Sequence, residues 1–141
     1  MIFFTRRELT RAWRQAYEAS IVTPPSNAHR LLLFYAVECG LKASFLKRQN
    51  VEVLDGIIGG ELMHDLNRVM DKLSMGSTYR LPTSLSLSNI MLNSYSVVRR
   101  CECRDLNQVW RYGGQLTPPS DDNLLEQALK KVNIWIAKEL G

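Results

Sequence analysis

Glu38 and Lys42 sit inside a stretch, Leu31 to Leu46, in which almost every other residue is apolar. A helix that is apolar nearly all round belongs at the centre of a small bundle. A charge at its heart must be paired or hydrogen-bonded, because burying it alone costs several kcal/mol or neutralises it. The two residues are four apart with the acid first, the favourable order for an ion pair along one helix face. The spot is a candidate for proton chemistry or a device that fixes packing.

The chain has only two imidazoles, His29 and His64. His29, beside Arg30, falls near a helix amino terminus and reads as a surface residue. His64 depends on where its helix begins. A start at Glu61 puts it opposite the Leu62, Leu66, Val69 and Leu73 stripe, facing solvent. A start at Asp65, with Asp65 as cap, leaves His64 outside the helix and free to turn toward Glu38; Gly59 and Gly60 permit either.

The elements that must position these residues read as helices. Thr5 with Glu8 is a capping-box signature that opens a first helix, Thr5 to Ser20, with Arg7, Arg11 and Arg14 on one face. Thr23-Pro24-Pro25-Ser26 introduces the central helix, Ser26 to Gln49; the same tetrapeptide, Thr117 to Ser120, introduces the last. Turn chemistry, rather than an internal repeat, accounts for both copies. Asn50 to Gly60 reads as a loop and Glu61 to Ser74 as a third helix. Met75 to Ser88 reads as a mobile connection. Asn89 to Tyr112 is expected to form a fourth helix, kinked or broken, carrying Arg99, Arg100, Arg104 and Arg111. Asp121 to Leu140 has a clean Leu125, Leu129, Val132, Ile136 and Leu140 stripe with acids at its start and Lys138 near its end. Leu85 to Ser88 alternates but is short and alone, so no strand is expected. The fold class is all-α: one domain, 1–141, an up-down antiparallel bundle of four to five helices.

Composition narrows the options. The 141 residues are 45% hydrophobic, which suits a domain with its own core. No apolar run reaches the roughly 18 to 20 residues that span a bilayer, and the amino terminus lacks a secretory pattern. Three cysteines, with Cys101 and Cys103 two apart, are no disulfide framework and a poor zinc set. A cytoplasmic protein without membrane contact, metal or cofactor is expected. Net charge is +4, with twelve arginines against six lysines. Guanidinium groups grip phosphates and carboxylates in a fork, so the bias points to such partners. The Arg7/Arg11/Arg14 face and the Arg99/Arg100/Arg104 group could follow a phosphate backbone, although Glu18, Glu102 and Asp105 dilute them. Trp13, Trp110 and Trp135 read as core or interface anchors. There is no Walker loop and no Ser/His/Asp arrangement.

Three segments form a set: Tyr35-Ala36-Val37-Glu38-Cys39-Gly40-Leu41-Lys42, His64-Asp65-Leu66 and Trp110-Arg111-Tyr112-Gly113. Their order and spacing resemble the HEPN superfamily, in which an A-x-E-x-x-L-K helix precedes an H-D-L helix start and a later helix ends near an R-Y pair. The resemblance implies a helical bundle that dimerises, in a setting of phage defence, toxin–antitoxin pairs or plasmid maintenance. Many relatives are metal-independent ribonucleases with an R-x(4–6)-H motif; others are binding modules. Here neither His29 nor His64 has an arginine at the required distance, so standard ribonuclease activity is not expected.

The resulting expectation is a homodimeric module that binds RNA, a nucleotide or a partner protein. It would do so through Arg99, Arg100, Arg104, Arg111 and Tyr112. Two alternatives stand beside it. One is a metal-independent endoribonuclease with His64 as base and Arg68 or Arg111 as the cation for the phosphorane charge. The other is an accessory subunit or antitoxin of a nucleotidyltransferase-type toxin. The plainer reading of Glu38, Lys42 and His64 is a polar network that fixes helix packing.

Overall fold

A computed structural model describes residues 2–62 and 64–141. Helix α2 (Asn27–Gln49) is its axis. It packs against α1 (Arg6–Ser20), α4 (Leu66–Lys72), α5 (Leu106–Arg111) and α6 (Ser120–Leu140). Its residues from Leu33 to Leu46 are buried almost without interruption, as the apolar run dictates. Ser26 caps it, and the helix stops where Asn50 turns left-handed at φ 54°. His29 serves that start: its Nδ1 accepts the Ser26 backbone N–H at 3.1 Å.

The capping box of α1 is formed. Thr5 Oγ1 accepts the Glu8 N–H at 3.1 Å, and Glu8 Oε1 accepts the Thr5 N–H at 2.9 Å. The buried side of α1 is Leu9 and Trp13; α6 buries Leu125, Leu129, Val132 and Ile136. At the second Thr-Pro-Pro-Ser copy, Pro119 takes the cap position and Ser120 is already helical without capping by its side chain.

The chain is mainly α; the described residues form six α-helices and two small antiparallel pairs rather than helices alone. Strands β1 (Phe4–Thr5) and β2 (Val53–Leu54) pair, tying the amino terminus to the segment after α2. Behind them α3 (Gly56–Leu62) occupies part of the stretch expected as loop. Asp55 Oδ1 accepts the Ile57 and Ile58 N–H groups at 3.0 and 2.9 Å and opens that helix.

The largest correction concerns the expected fourth helix. Its first half is a hairpin, β3 (Leu85–Leu92) with β4 (Tyr95–Cys101), and only a 3-10 turn at Cys103–Asp105 and α5 at its end are helical. The alternation seen at Leu85 to Ser88 starts the strand. Asn93 and Ser94, at φ 47° and 69°, make the two-residue loop that returns the chain. The hairpin is anchored at its base, where Leu87 bridges Leu116 and the Thr117 N–H donates to the Ser86 carbonyl at 2.8 Å.

The connection from Met75 to Ser88 is likewise built. It contains a 3-10 turn at Ser77–Tyr79, and Leu81 is buried. Asn67 holds Leu81 from both sides, donating to its carbonyl at 2.9 Å and accepting its N–H at 2.8 Å. The expected third helix is two. α3 ends at Leu62, α4 begins at Leu66, and the Leu62, Leu66, Val69 and Leu73 stripe is buried across the break. Among the described residues, no helix is long and apolar enough to cross a membrane.

Candidate functional site

The break between α3 and α4 decides where His64 goes. Asp65 caps α4 by accepting the Arg68 N–H at 3.2 Å, so the later of the two possible helix starts is realised. His64, left outside the helix, turns to α2. Its Nδ1 lies 2.9 Å from Glu38 Oε2 and 3.0 Å from Oε1. Lys42 Nζ donates to the same Oε2 at 2.9 Å. Glu38 and Lys42 are 7% and 8% exposed, whereas the His64 side chain is 62% exposed. The polar network therefore has two unlike parts. Glu38 and Lys42 form a buried pair inside the bundle. His64 hangs on its outer edge, oriented by the carboxylate.

This is the usual way a protein fixes an imidazole for use. Engaging Nδ1 sets the ring orientation and leaves Nε2 for whatever lies outside. With the Glu38 carboxylate accepting, the proton of this contact sits on Nδ1, the tautomer that leaves the Nε2 lone pair free.

Two cavities meet at His64. On the α3 side lies one of about 610 Å³, walled by Phe4, Leu9, Leu54 and the glycines of α3, with Glu38, Cys39 and Lys42 at its back. On the α4 side lies a groove of about 390 Å³, lined by His64, Asp65, Arg68, Arg104, Asp105, Asn107 and Gln108. A further hollow of about 400 Å³ continues past Arg68 and Arg104 to Arg80. Within this groove Arg104 pairs with Glu102 and Arg80 with Asp71, while Arg68 has no carboxylate partner among the described residues. Asn107 is buried, and its Oδ1 has no hydrogen-bond partner among the described residues.

Arg111 stands one helical turn away from this centre. It donates to the Tyr35 hydroxyl, with its guanidinium 5.8 Å from the Tyr35 ring centroid. Hydrogen bonds to Tyr112 and Tyr35 hold its pKa above the ordinary arginine value, so it remains cationic. Tyr35 precedes Glu38 by three residues on α2, so Arg111 and His64 lie along the same flank without sharing a partner. Tyr112 is exposed.

The other expected binding residues do not form one face. Arg99 and Arg100 are successive residues of β4 and point to opposite sides of the ribbon. Arg99 Nε donates to the Ser88 carbonyl at 2.8 Å; Arg100 lines a separate small hollow with Thr83 and Glu102. Only Arg104 of that group reaches the His64 groove. The Arg7/Arg11/Arg14 face is exposed and lines a different groove with Arg6 and Glu52.

The cysteines are poor nucleophiles. Burial, then the Glu38 charge, pushes the Cys39 thiol up to about 11, and burial with Asp65 nearby pushes Cys103 to about 12. Among the described residues no three His, Cys, Asp or Glu side chains gather as a metal would require.

Phe4, Leu54 and Asn107 were missing from the sequence-derived site. Nothing in their local pattern marks them, because the β1–β2 pair and the hairpin bring them in from distant segments. No protein-family model, curated protein or solved structure matches this chain. The HEPN resemblance rests on its three motifs.

Proposed function

We propose that this chain is a HEPN-like module that binds RNA at the groove between His64 and Arg104, and that it works as a homodimer. The observation that carries the reading is the meeting in one groove of an oriented, exposed imidazole with Arg68, which has no carboxylate partner among the described residues. Phosphate oxygens satisfy both groups, and arginine grips them in a fork. The exposed apolar residues Ile2, Phe3 and Ile57, and Met91, Leu92 and Tyr95 at the hairpin tip, supply surface for pairing of copies. Anisotropy of a labelled single-stranded RNA tests the binding. Arg68→Ala should weaken it and flatten its salt dependence, whereas unchanged affinity and salt slope would sink the reading.

The Glu38–His64 contact favours a second reading, a metal-independent endoribonuclease. His64 Nε2 would take the 2′-hydroxyl proton as the oxygen attacks phosphorus, giving a 2′,3′-cyclic phosphate. Arg68 would stabilise the phosphorane charge, and a water would protonate the leaving 5′-oxygen. Arg111, engaged with Tyr35 one turn away, is the weaker candidate for that cation. Incubation with labelled RNA in EDTA separates the readings: cleavage abolished by His64→Ala at unchanged melting temperature establishes the enzyme, and intact RNA bound by the parent leaves the binding module.

A further inference from the structure

We infer that the apolar cavity on the α3 side of His64 is a nucleobase subsite in which Lys42 donates to a ring carbonyl; the inference rests on the RNA-binding reading above. Three observations converge on it.

The first is an incomplete polar complement. Lys42 is 8% exposed and spends one N–H on Glu38 Oε2 at 2.9 Å. An ammonium has three donors, and no second acceptor for Lys42 is present among the described residues. Lys42 lines the cavity, so an acceptor brought by a ligand completes it. Glu38 already neutralises the ammonium, which favours a neutral acceptor over another anion. A carbonyl oxygen is that kind of group.

The second is shape and polarity. The cavity measures about 610 Å³, within the range of small-molecule sites. Its walls are Ile2, Phe4, Leu9 and Leu54, and Phe4 is partly exposed, a ring on which a flat base can stack.

The third is continuity. His64 lines both this cavity and the arginine groove. A ligand spanning the two needs a flat, largely apolar body on one side and a phosphate on the other. A nucleotide unit of single-stranded RNA has that form, and its unstacked base can be splayed into a pocket.

The chemistry sets a preference. Uracil, cytosine and hypoxanthine carry a ring carbonyl; adenine carries none. The test uses the full chain and anisotropy with oligo(U), oligo(A) and oligo(A) containing one inosine. Gly60→Phe serves to crowd the cavity: Gly60 lines it, a Cβ there meets nothing within 4 Å, and its backbone is not in the glycine-only region. Lys42 itself is left intact, since breaking a buried pair endangers the fold.

The expected result is about tenfold tighter binding of oligo(U) than of oligo(A). Inosine should restore part of the difference, and Gly60→Phe should erase the preference without raising the affinity for oligo(A). Equal affinity for all three, with binding still dependent on Arg68, overturns the subsite and leaves the RNA-binding reading standing. A uracil preference that survives Gly60→Phe also overturns it. Absence of binding to any of the oligonucleotides overturns both.

Discussion

His64 Nδ1 lies 2.9 Å from Glu38 Oε2, yet the imidazole is mostly outside the fold and the carboxylate almost wholly inside it. Removing either end of this contact should therefore have unlike consequences. His64→Ala deletes an exposed ring and leaves Glu38 paired to Lys42, so unfolding free energy should change by less than about 1 kcal/mol. Lys42→Met strands a buried carboxylate and should cost roughly 3 to 5 kcal/mol. Urea denaturation of the two variants checks this. Equal losses would mean that His64 is part of the architecture, and the argument for it as a ligand-facing group would fall.

Helices approach closely in the core at Gly40. A Cβ there would lie 2.7 Å from Ile136 Cγ2 and 2.9 Å from Trp13 Cδ1, so α1, α2 and α6 meet where only hydrogen fits. Gly40→Ala improves helix propensity by about 1 kcal/mol. Overpacking typically costs about 1 to 3 kcal/mol, and we expect it to win. Ile136→Ala should partly relieve the clash, so the double variant should be more stable than the sum of the single losses allows. Strict additivity in a thermal-melt cycle would place the conflict elsewhere.

How much of this was legible beforehand follows from where each constraint lies. α1, α2 and α6 announce themselves because caps and a 3.6-residue apolar period are local signals, and the Glu38–Lys42 pair follows from spacing within one helix. The hairpin was hidden for a local reason too. Its loop is Asn93-Ser94 rather than the glycine-containing pairs that mark such turns, and Tyr95 to Cys101 lacks clean alternation. His64 was decidable only once the start of α4 was fixed, since both starts satisfied the sequence. Of the groove, the pairing of His64 with Arg68 was legible from their spacing, but the convergence of Arg104 and Asn107 on them was not. Arg104 and Asn107 come to Arg68 because the β3–β4 hairpin folds the chain back, a long-range event that no local pattern encodes.

Asp122 anchors that return. It is 2% exposed; its Oδ1 accepts the Trp110 indole N–H at 2.7 Å and its Oδ2 accepts the Leu116 N–H at 3.0 Å. One carboxylate thus joins α5, the base of the hairpin and the first turn of α6. Asp122→Ala should leave both donors unpaired and cost roughly 2 to 5 kcal/mol. The near-ultraviolet circular dichroism of Trp110 should weaken with it. An Ala variant as stable as the parent would mean that water replaces the carboxylate, and that the hairpin base is held by β3 contacts alone.

The raised thiols make a prediction whose sign can be worked out. In the unfolded chain Cys39 and Cys103 ionise near the ordinary value of 9.0, but folded they hold their protons to about 11 and about 12. Above pH 9 the folded state therefore binds more protons than the unfolded state, and stability must fall as pH rises. Below pH 9 both states are protonated and the thiols contribute no slope. Lysines and tyrosines titrate in the same alkaline window, so the informative quantity is the difference between the parent and a Cys39→Ala/Cys103→Ala variant. Urea midpoints measured from pH 8 to pH 10.5 should fall more steeply for the parent. At pH 8 the same two thiols should resist iodoacetamide until urea unfolds the chain. Parallel midpoint curves, with rapid labelling of Cys39 in the native protein, would show that burial does not hold its thiol protonated.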